Sequence, residues 1–199
     1  IAKGWSTDRA IDVTNLGVQI HGGMGFMGET AAAQYYLDAR ITPIYEGTNG
    51  IQAIDLAGRK LSMDGGAAMK AMIAEVRENA RELAGVNTPG FLHLSQSLDQ
   101  AADALDGATD YMLAEMNANR EKGLAAATSY LRLAGDVVGG HFLARSAWQA
   151  RDAADREAAL ILASYFAGDT LARAQGAARA LSEGAEAVHA AAGALWNAD

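Results

Sequence analysis

Apolar residues in this chain recur at three- and four-residue spacing over stretches too long for strands, and only Pro43 and Pro89 interrupt the 199 residues as prolines. That spacing places side chains on one face of a helix, whereas a half-buried strand alternates with a period of two. Met69, Met72, Ile73, Val76, Ala80 and Leu83 make one such stripe. Leu94, Leu98, Ala101, Leu105 and Ala108 make a second. A third helix runs through Leu124, Leu131, Val138 and Phe142 to about Ala150. From Asp155 onward, Leu160, Ala163, Ala167, Leu171, Ala174, Ala178, Leu181 and Val188 share one register, as a single long helix or as two divided near Gly176. Abundant Ala, Leu, Glu, Arg and Gln support helix throughout. The fold class predicted is all-α.

The first sixty residues differ in texture. Ser6 to Ile20 reads as a helix with Ser6 or Thr7 as its cap. The run from His21 to Gly28 contains four glycines, which make continued helix entropically costly. Helix resumes from Glu29 to Asp38. Ile41 to Tyr45 is irregular, because Pro43 pushes the residue before it out of helical dihedrals. Another helix opens near Gly47–Thr48 and runs to about Leu61. Ser62 to Gly66, with two adjacent glycines after a helix end, reads as a boundary. The expected organisation is therefore residues 1–62 as one helical unit and 67–199 as a second, up-down helical bundle.

Composition excludes several classes. A formal charge of −8 is wrong for a nucleic-acid surface, which needs clustered Lys and Arg. Without cysteine there is neither a disulfide frame nor a thiolate metal site. His93, His141 and His189 lack companions at metal-ligand spacing, so no metal site is expected. No segment approaches the roughly 18 apolar residues that a membrane span requires. Nor does the sequence around Ile1 have a signal-peptide core. A cytoplasmic location is the expectation. A start at Ile1 rather than at methionine suggests a fragment of a longer protein, or a numbering that omits a tag.

Two segments bear on chemistry. Gly23-x-Gly25-x-x-Gly28 matches a dinucleotide-binding fingerprint, but that pattern has meaning only between a strand and a helix, and a helix precedes it here. A glycine turn still lets backbone N–H groups approach phosphate closely. Glu46 follows the proline-bearing irregular run and precedes a helix. In such a place a carboxylate can be aimed, and apolar neighbours would raise its pKa toward general-base values. Local chemistry leaves a plainer reading open and favours it: a glutamate that simply suits a helix N-terminus.

The combination of Gln19-Ile-His-Gly22-Gly23-Met-Gly25 with Ile44-Tyr45-Glu46-Gly47-Thr48, joined through Asp38-Ala39-Arg40-Ile41, resembles the C-terminal helical domain of acyl-CoA dehydrogenases over roughly residues 5–61. The added length beyond Gly66 is similar to a subfamily with an extra C-terminal helical domain, which includes 3-methylmercaptopropionyl-CoA dehydrogenases. The resemblance implies FAD as cofactor, an acyl-CoA substrate and a trans-2-enoyl-CoA product. It makes Glu46 the α-proton base, whose backbone N–H helps polarise the thioester, with Gly47 beside it at the substrate. It places Thr48 near the flavin, and Gln19, Gly22 and Gly23 against the FAD of a neighbouring subunit. It therefore implies a homo-oligomer, a dimer or tetramer, with electron-transfer flavoprotein as electron acceptor. His21 is expected to be a packed or surface residue. The competing expectation is a noncatalytic helical oligomerisation module. On the first reading, residues 1–199 alone lack the domains that hold most of the flavin, and should be inactive by themselves.

Overall fold

The computed structural model describes residues 1–196, and every regular element among them is helical. The first helix, α1 (Ala2–Ile20), starts four residues before the expected Ser6. Thr7 does not cap it, because its hydroxyl donates back to the Lys3 carbonyl at 2.7 Å from within the helix. The glycine run then holds one short turn, α2 (Gly23–Phe26), and a 3₁₀ turn at Gly28–Thr30. Next come α3 (Ala32–Arg40) and, after an irregular stretch, α4 (Asn49–Asp55). The helix continues past Asp55 in π form over Leu56–Lys60 and ends in α5 (Leu61–Met63). A turn at Asp64–Gly66 separates it from α6 (Ala67–Gly85).

The remaining elements are α7 (Pro89–Ala118), α8 (Arg120–Gln149), α9 (Arg156–Asp169) and α10 (Ala174–Trp196). Pro89 stands in the first turn of α7, where a missing N–H costs nothing. Cross-contacts fix the helix directions. Lys70 reaches Asp110, whereas Arg77, one helical stretch further on, reaches Asp103, so α6 and α7 are antiparallel. Thr109 meets Tyr130, and Gly123 abuts Met116, so α7 and α8 are antiparallel too. Leu171 packs at Gly140 and Glu186 reaches Lys122, which brings the last leg back along α8. That leg is interrupted at Thr170–Arg173, a 3₁₀ turn between α9 and α10, and not at Gly176, which lies inside α10. At the interruption Leu171 is buried against Gly140, where a β-carbon would come within 2.8 Å of it.

Ile73, Val76, Leu83, Leu94, Leu98, Leu105, Met112, Leu131, Val137 and Leu181 are all buried in one contiguous core. Ala53, Leu56, Ala57 and Leu61 belong to the same core, so α4 and the π turn are packed onto the long helices. Two contacts dock α1 on α8. Gly4 lies against Leu131, and the Trp5 indole covers Gly135 and Gly139 while its Nε1–H donates to Asp136 at 2.8 Å. A β-carbon at Gly135 would come within 2.1 Å of the indole, so only glycine lets α1 sit this close. No helix among the described residues is long and apolar enough to cross a membrane.

Candidate active site

Glu46 lies in the loop between α3 and α4. This loop is closed on itself, because the Asn49 amide donates to the Pro43 carbonyl at 3.1 Å. The chain reverses through two consecutive left-handed residues, Glu46 at φ 55° and Gly47 at φ 85°. Glycine accepts that conformation freely, but in a glutamate it costs on the order of 1–3 kcal/mol and persists only where its surroundings impose it. The imposing contacts are present. The Gln52 side-chain amide donates to the Glu46 carbonyl at 3.0 Å. Lys3, from the first turn of α1, donates to the Gly47 carbonyl and to Asn49 Oδ1, each at 2.8 Å, and its ammonium lies 5.9 Å from the Tyr45 ring centre. Asn49 ties the loop back to α1 by donating to the Gly4 carbonyl, Thr7 and Asp8 at 2.7–2.9 Å.

The Glu46 side chain itself is exposed, with the half-exposed Ile44 and Tyr45 just before it in sequence and the half-exposed Ile51 close to Gly47. Thr48 occupies the N-cap position of α4, the place where a threonine hydroxyl usually accepts from the helix, yet it makes no capping bond. Its exposed hydroxyl is left available for another partner. Glu46, Gly47 and Thr48 thus share one exposed, braced turn.

Gln19, Gly22 and Gly23 do not join them. Gly22 N–H bonds to the Gln19 carbonyl at 3.0 Å, directly after α1. Glu46's loop is clamped at the opposite end of that helix, by Lys3. Sixteen residues of helix at about 1.5 Å each separate the two motifs by roughly 24 Å. Gly22 has φ 58°, and no atom would meet a β-carbon at Gly22 or at Gly23 within 4 Å. The backbone there is open to a ligand from outside, with the exposed Ile20, Met24 and Phe26 around it. His21 is a surface histidine whose Nδ1 sits 2.8 Å from the Gly17 carbonyl.

The other histidines lie elsewhere. His141 is buried, receives a bond from the Asn79 amide at 3.2 Å, and is held below the usual histidine pKa by that burial. His189 meets Asn119 at 3.0 Å. No group of three or more His, Asp or Glu among the described residues could hold a metal ion. An apolar groove of 510 Å³ runs between Trp5, Leu56, Met69 and Phe142, and none of Gln19, Gly22, Gly23, Glu46, Gly47 and Thr48 lines it.

Lys3 and Asn49 are the part of this arrangement that the sequence did not reveal. Asn49 directly follows the Tyr-Glu-Gly-Thr motif at the start of α4, and that adjacency is its one local signal; Lys3 is 44 residues from the carbonyl it holds, and carries no local signal.

Comparison with known proteins places this geometry in context. Residues 1–61 match the family described as acyl-CoA dehydrogenase, C-terminal domain, and residues 66–192 match one described as acetyl-CoA dehydrogenase C-terminal like. A 3-methylmercaptopropionyl-CoA dehydrogenase from Ruegeria pomeroyi is 38% identical over 178 residues, covering 86% of this chain and 30% of that protein. A butyryl-CoA dehydrogenase from Syntrophomonas wolfei is 31% identical over 143 residues, or 72% of this chain and 23% of its own length. The short-chain specific acyl-CoA dehydrogenase of Rattus norvegicus is 46% identical over 61 residues, 31% of this chain and 15% of the relative. The chain therefore spans less than a third of each of these relatives. It belongs to the acyl-CoA dehydrogenase family.

Proposed function

We propose that this chain is the C-terminal part of an FAD-dependent acyl-CoA dehydrogenase in which Glu46 removes the α-proton of an acyl-CoA thioester, giving a 2-enoyl-CoA. The observation that carries the proposal is the backbone at Glu46. A glutamate held at φ 55° by contacts from Lys3, Asn49 and Gln52, at a turn that glycine would adopt without strain, with its carboxylate left exposed, suits an aimed base. In this reading residues 1–62 carry the site and residues 67–199 form an additional helical bundle.

The residues present suit two partial contacts with flavin dinucleotides, one at each end of α1. Gly22 and Gly23 offer open backbone, and Thr48 offers a hydroxyl not used by its own helix. Bound FAD would supply the acceptor for the β-hydrogen as hydride. The chain's own contribution is to position. Glu46 takes the α-proton onto its carboxylate, and its backbone N–H, with Gly47, faces the thioester oxygen where enolate charge develops. The half-exposed Ile44, Tyr45 and Ile51 provide apolar surface beside the base, which acyl binding would dry further. The separation of roughly 24 Å along α1 suits a site in which Gln19, Gly22 and Gly23 serve a different copy's FAD from the one that Glu46 serves, hence a homo-oligomer.

The test is Glu46→Gln in the flavin-loaded protein that contains this chain. Gln keeps size and hydrogen bonding but is not a base. Turnover should fall by about 10²–10⁴-fold with FAD content unchanged. Near-normal flavin bleaching by an acyl-CoA would move the base to another residue. A noncatalytic assembly role is the second reading, favoured by the exposed Ile161, Leu162 and Tyr165 on α9. Loss of oligomer without loss of turnover, on replacing those three by serine, would assign them to assembly alone.

A further inference from the structure

We infer that Lys3 is a positioning residue for Glu46: its ammonium clamps the left-handed turn and thereby sets the direction in which the carboxylate leaves the loop. The inference rests on the reading of Glu46 as the base.

Lys3 is half-buried, and its partners are unusual for a lysine. It donates to two uncharged oxygens of the same loop, the Gly47 carbonyl and Asn49 Oδ1, and approaches the face of Tyr45. Among the described residues no carboxylate pairs with it. The acids on its own helix are engaged elsewhere, Asp8 with Asn49 and Arg132 and Asp12 with Arg9. A lysine that merely kept the surface soluble would point to water, and one that stabilised by charge would meet an acid. This one spends its donors on the backbone of the residue next to Glu46.

The placement explains how the strained turn is held. The Gly47 carbonyl marks the orientation of the peptide by which the chain leaves the left-handed pair, while Gln52 marks the peptide between Glu46 and Gly47, so Lys3 fixes the exit of the turn and Gln52 its centre. Gln52 reaches the Gly47 carbonyl only at 3.5 Å, so Lys3 is its principal partner. Lys3 stands in the first turn of α1, which is anchored on α8 through Gly4 and Trp5. The clamp therefore refers Glu46 to the rigid long helices and not to its own loop, the kind of support that an aimed catalytic group requires.

Lys3→Met removes the ammonium and keeps most of the apolar stem; Lys3→Arg keeps charge and donors. In this chain, amide hydrogen exchange over residues 44–49 should rise about tenfold in Lys3→Met while amides of α7 and α8 are unchanged, and should stay near wild type in Lys3→Arg. In the flavin-loaded protein, Lys3→Met should lower kcat about ten- to a hundredfold, with KM for the acyl-CoA shifted less than about threefold and activity largely recovered in Lys3→Arg. Exchange rising throughout the molecule, or nowhere, overturns the proposal, as does a kcat equal to wild type. Glu46→Gln separates this inference from the one beneath it. An inactive Glu46→Gln with a fully active Lys3→Met sinks the clamp and spares the base, whereas an active Glu46→Gln with a loosened loop in Lys3→Met sinks the base.

Discussion

A glutamate at φ 55° invites a direct test, since the strain and the chemistry can be separated by choice of substituent. Glycine at position 46 relieves the strain of about 1–3 kcal/mol but adds unfolded-state freedom worth roughly 0.4–1 kcal/mol. Glu46→Gly should thus raise stability by about 1 kcal/mol in urea unfolding, whereas Glu46→Gln, which keeps the same backbone cost, should leave it unchanged. A destabilised glycine variant would mean that the carboxylate contributes to the fold after all. Asp136 offers a second test at this scale. Burial pushes its carboxyl above the usual aspartate pKa, against the Trp5 hydrogen bond and the charges of Arg9, Arg173 and Arg132, which pull it down. A raised folded-state pKa means that the native state holds this proton more tightly than the unfolded chain does. Its stability contribution is complete below the unfolded value near pH 3.9, and is lost as pH rises to the higher folded value. Asp136→Asn keeps an acceptor for the Trp5 N–H and should therefore equal or exceed wild-type Tm at pH 7, the difference shrinking below about pH 4. The partners at this scale explain what sequence reading could reach. Tyr45-Glu46-Gly47-Thr48 is contiguous and stands out as a motif, whereas Trp5 and Asp136 are 131 residues apart and are joined only by folding.

Between α6 and α7 the stripes of Met69–Leu83 and Leu94–Ala108 meet as their spacing predicts, and a ladder of charges runs along the seam. Asp106 takes bonds from Lys70 and, at 3.1 Å, from Arg77, which also holds Asp103 at 2.8 Å. Lys70 foremost, and Arg77 with it, keep the Asp106 carboxyl below its ordinary pKa despite partial burial. A depressed folded-state pKa contributes stability that is present above the unfolded value and disappears as pH falls through the folded one. Asp106→Asn should cost about 1 kcal/mol at pH 7, and the gap to wild type should close below about pH 3. Closer helix approaches leave no such signature in a single sequence. Gly135 reads as one more glycine in a helix, yet it is where the Trp5 indole lies on α8. Gly135→Ala should displace α1 and lower stability by about 1–3 kcal/mol, read by thermal unfolding and by Trp fluorescence. The last leg follows neither alternative left open by the sequence, an unbroken helix or a break near Gly176, for a related reason. Gly176 is the obvious weak point by propensity, but α10 passes through it unbroken, and the interruption falls where Leu171 fits Gly140.

At the scale of the whole chain, helical period and motif order were visible because both are local properties. The relation between the two motifs was not, since it depends on α1 running straight between them. With the glycine turn and the Glu46 loop at opposite ends of that helix, a ligand would have to reach across roughly 24 Å to touch both. Each lies among exposed apolar side chains. Ile20 and Phe26 are 84% and 81% exposed at one end, and Ile44 and Tyr45 are half-exposed at the other. Exposed apolar side chains grouped beside each motif are available for contact with another surface or ligand. On the proposed function, a flavin touched along one edge only, at either end, would keep most of its area in water, and affinity needs most of a ligand's surface buried. The 199-residue chain prepared alone should therefore show a fully helical circular dichroism spectrum, and after mixing with excess FAD and gel filtration should carry none of the yellow colour with it. The helical spectrum guards the result against simple misfolding. Stoichiometric flavin retention, with the shifted absorption of an enclosed isoalloxazine, would place the complete cofactor site within these residues and remove the case for a site shared with other parts of an oligomer.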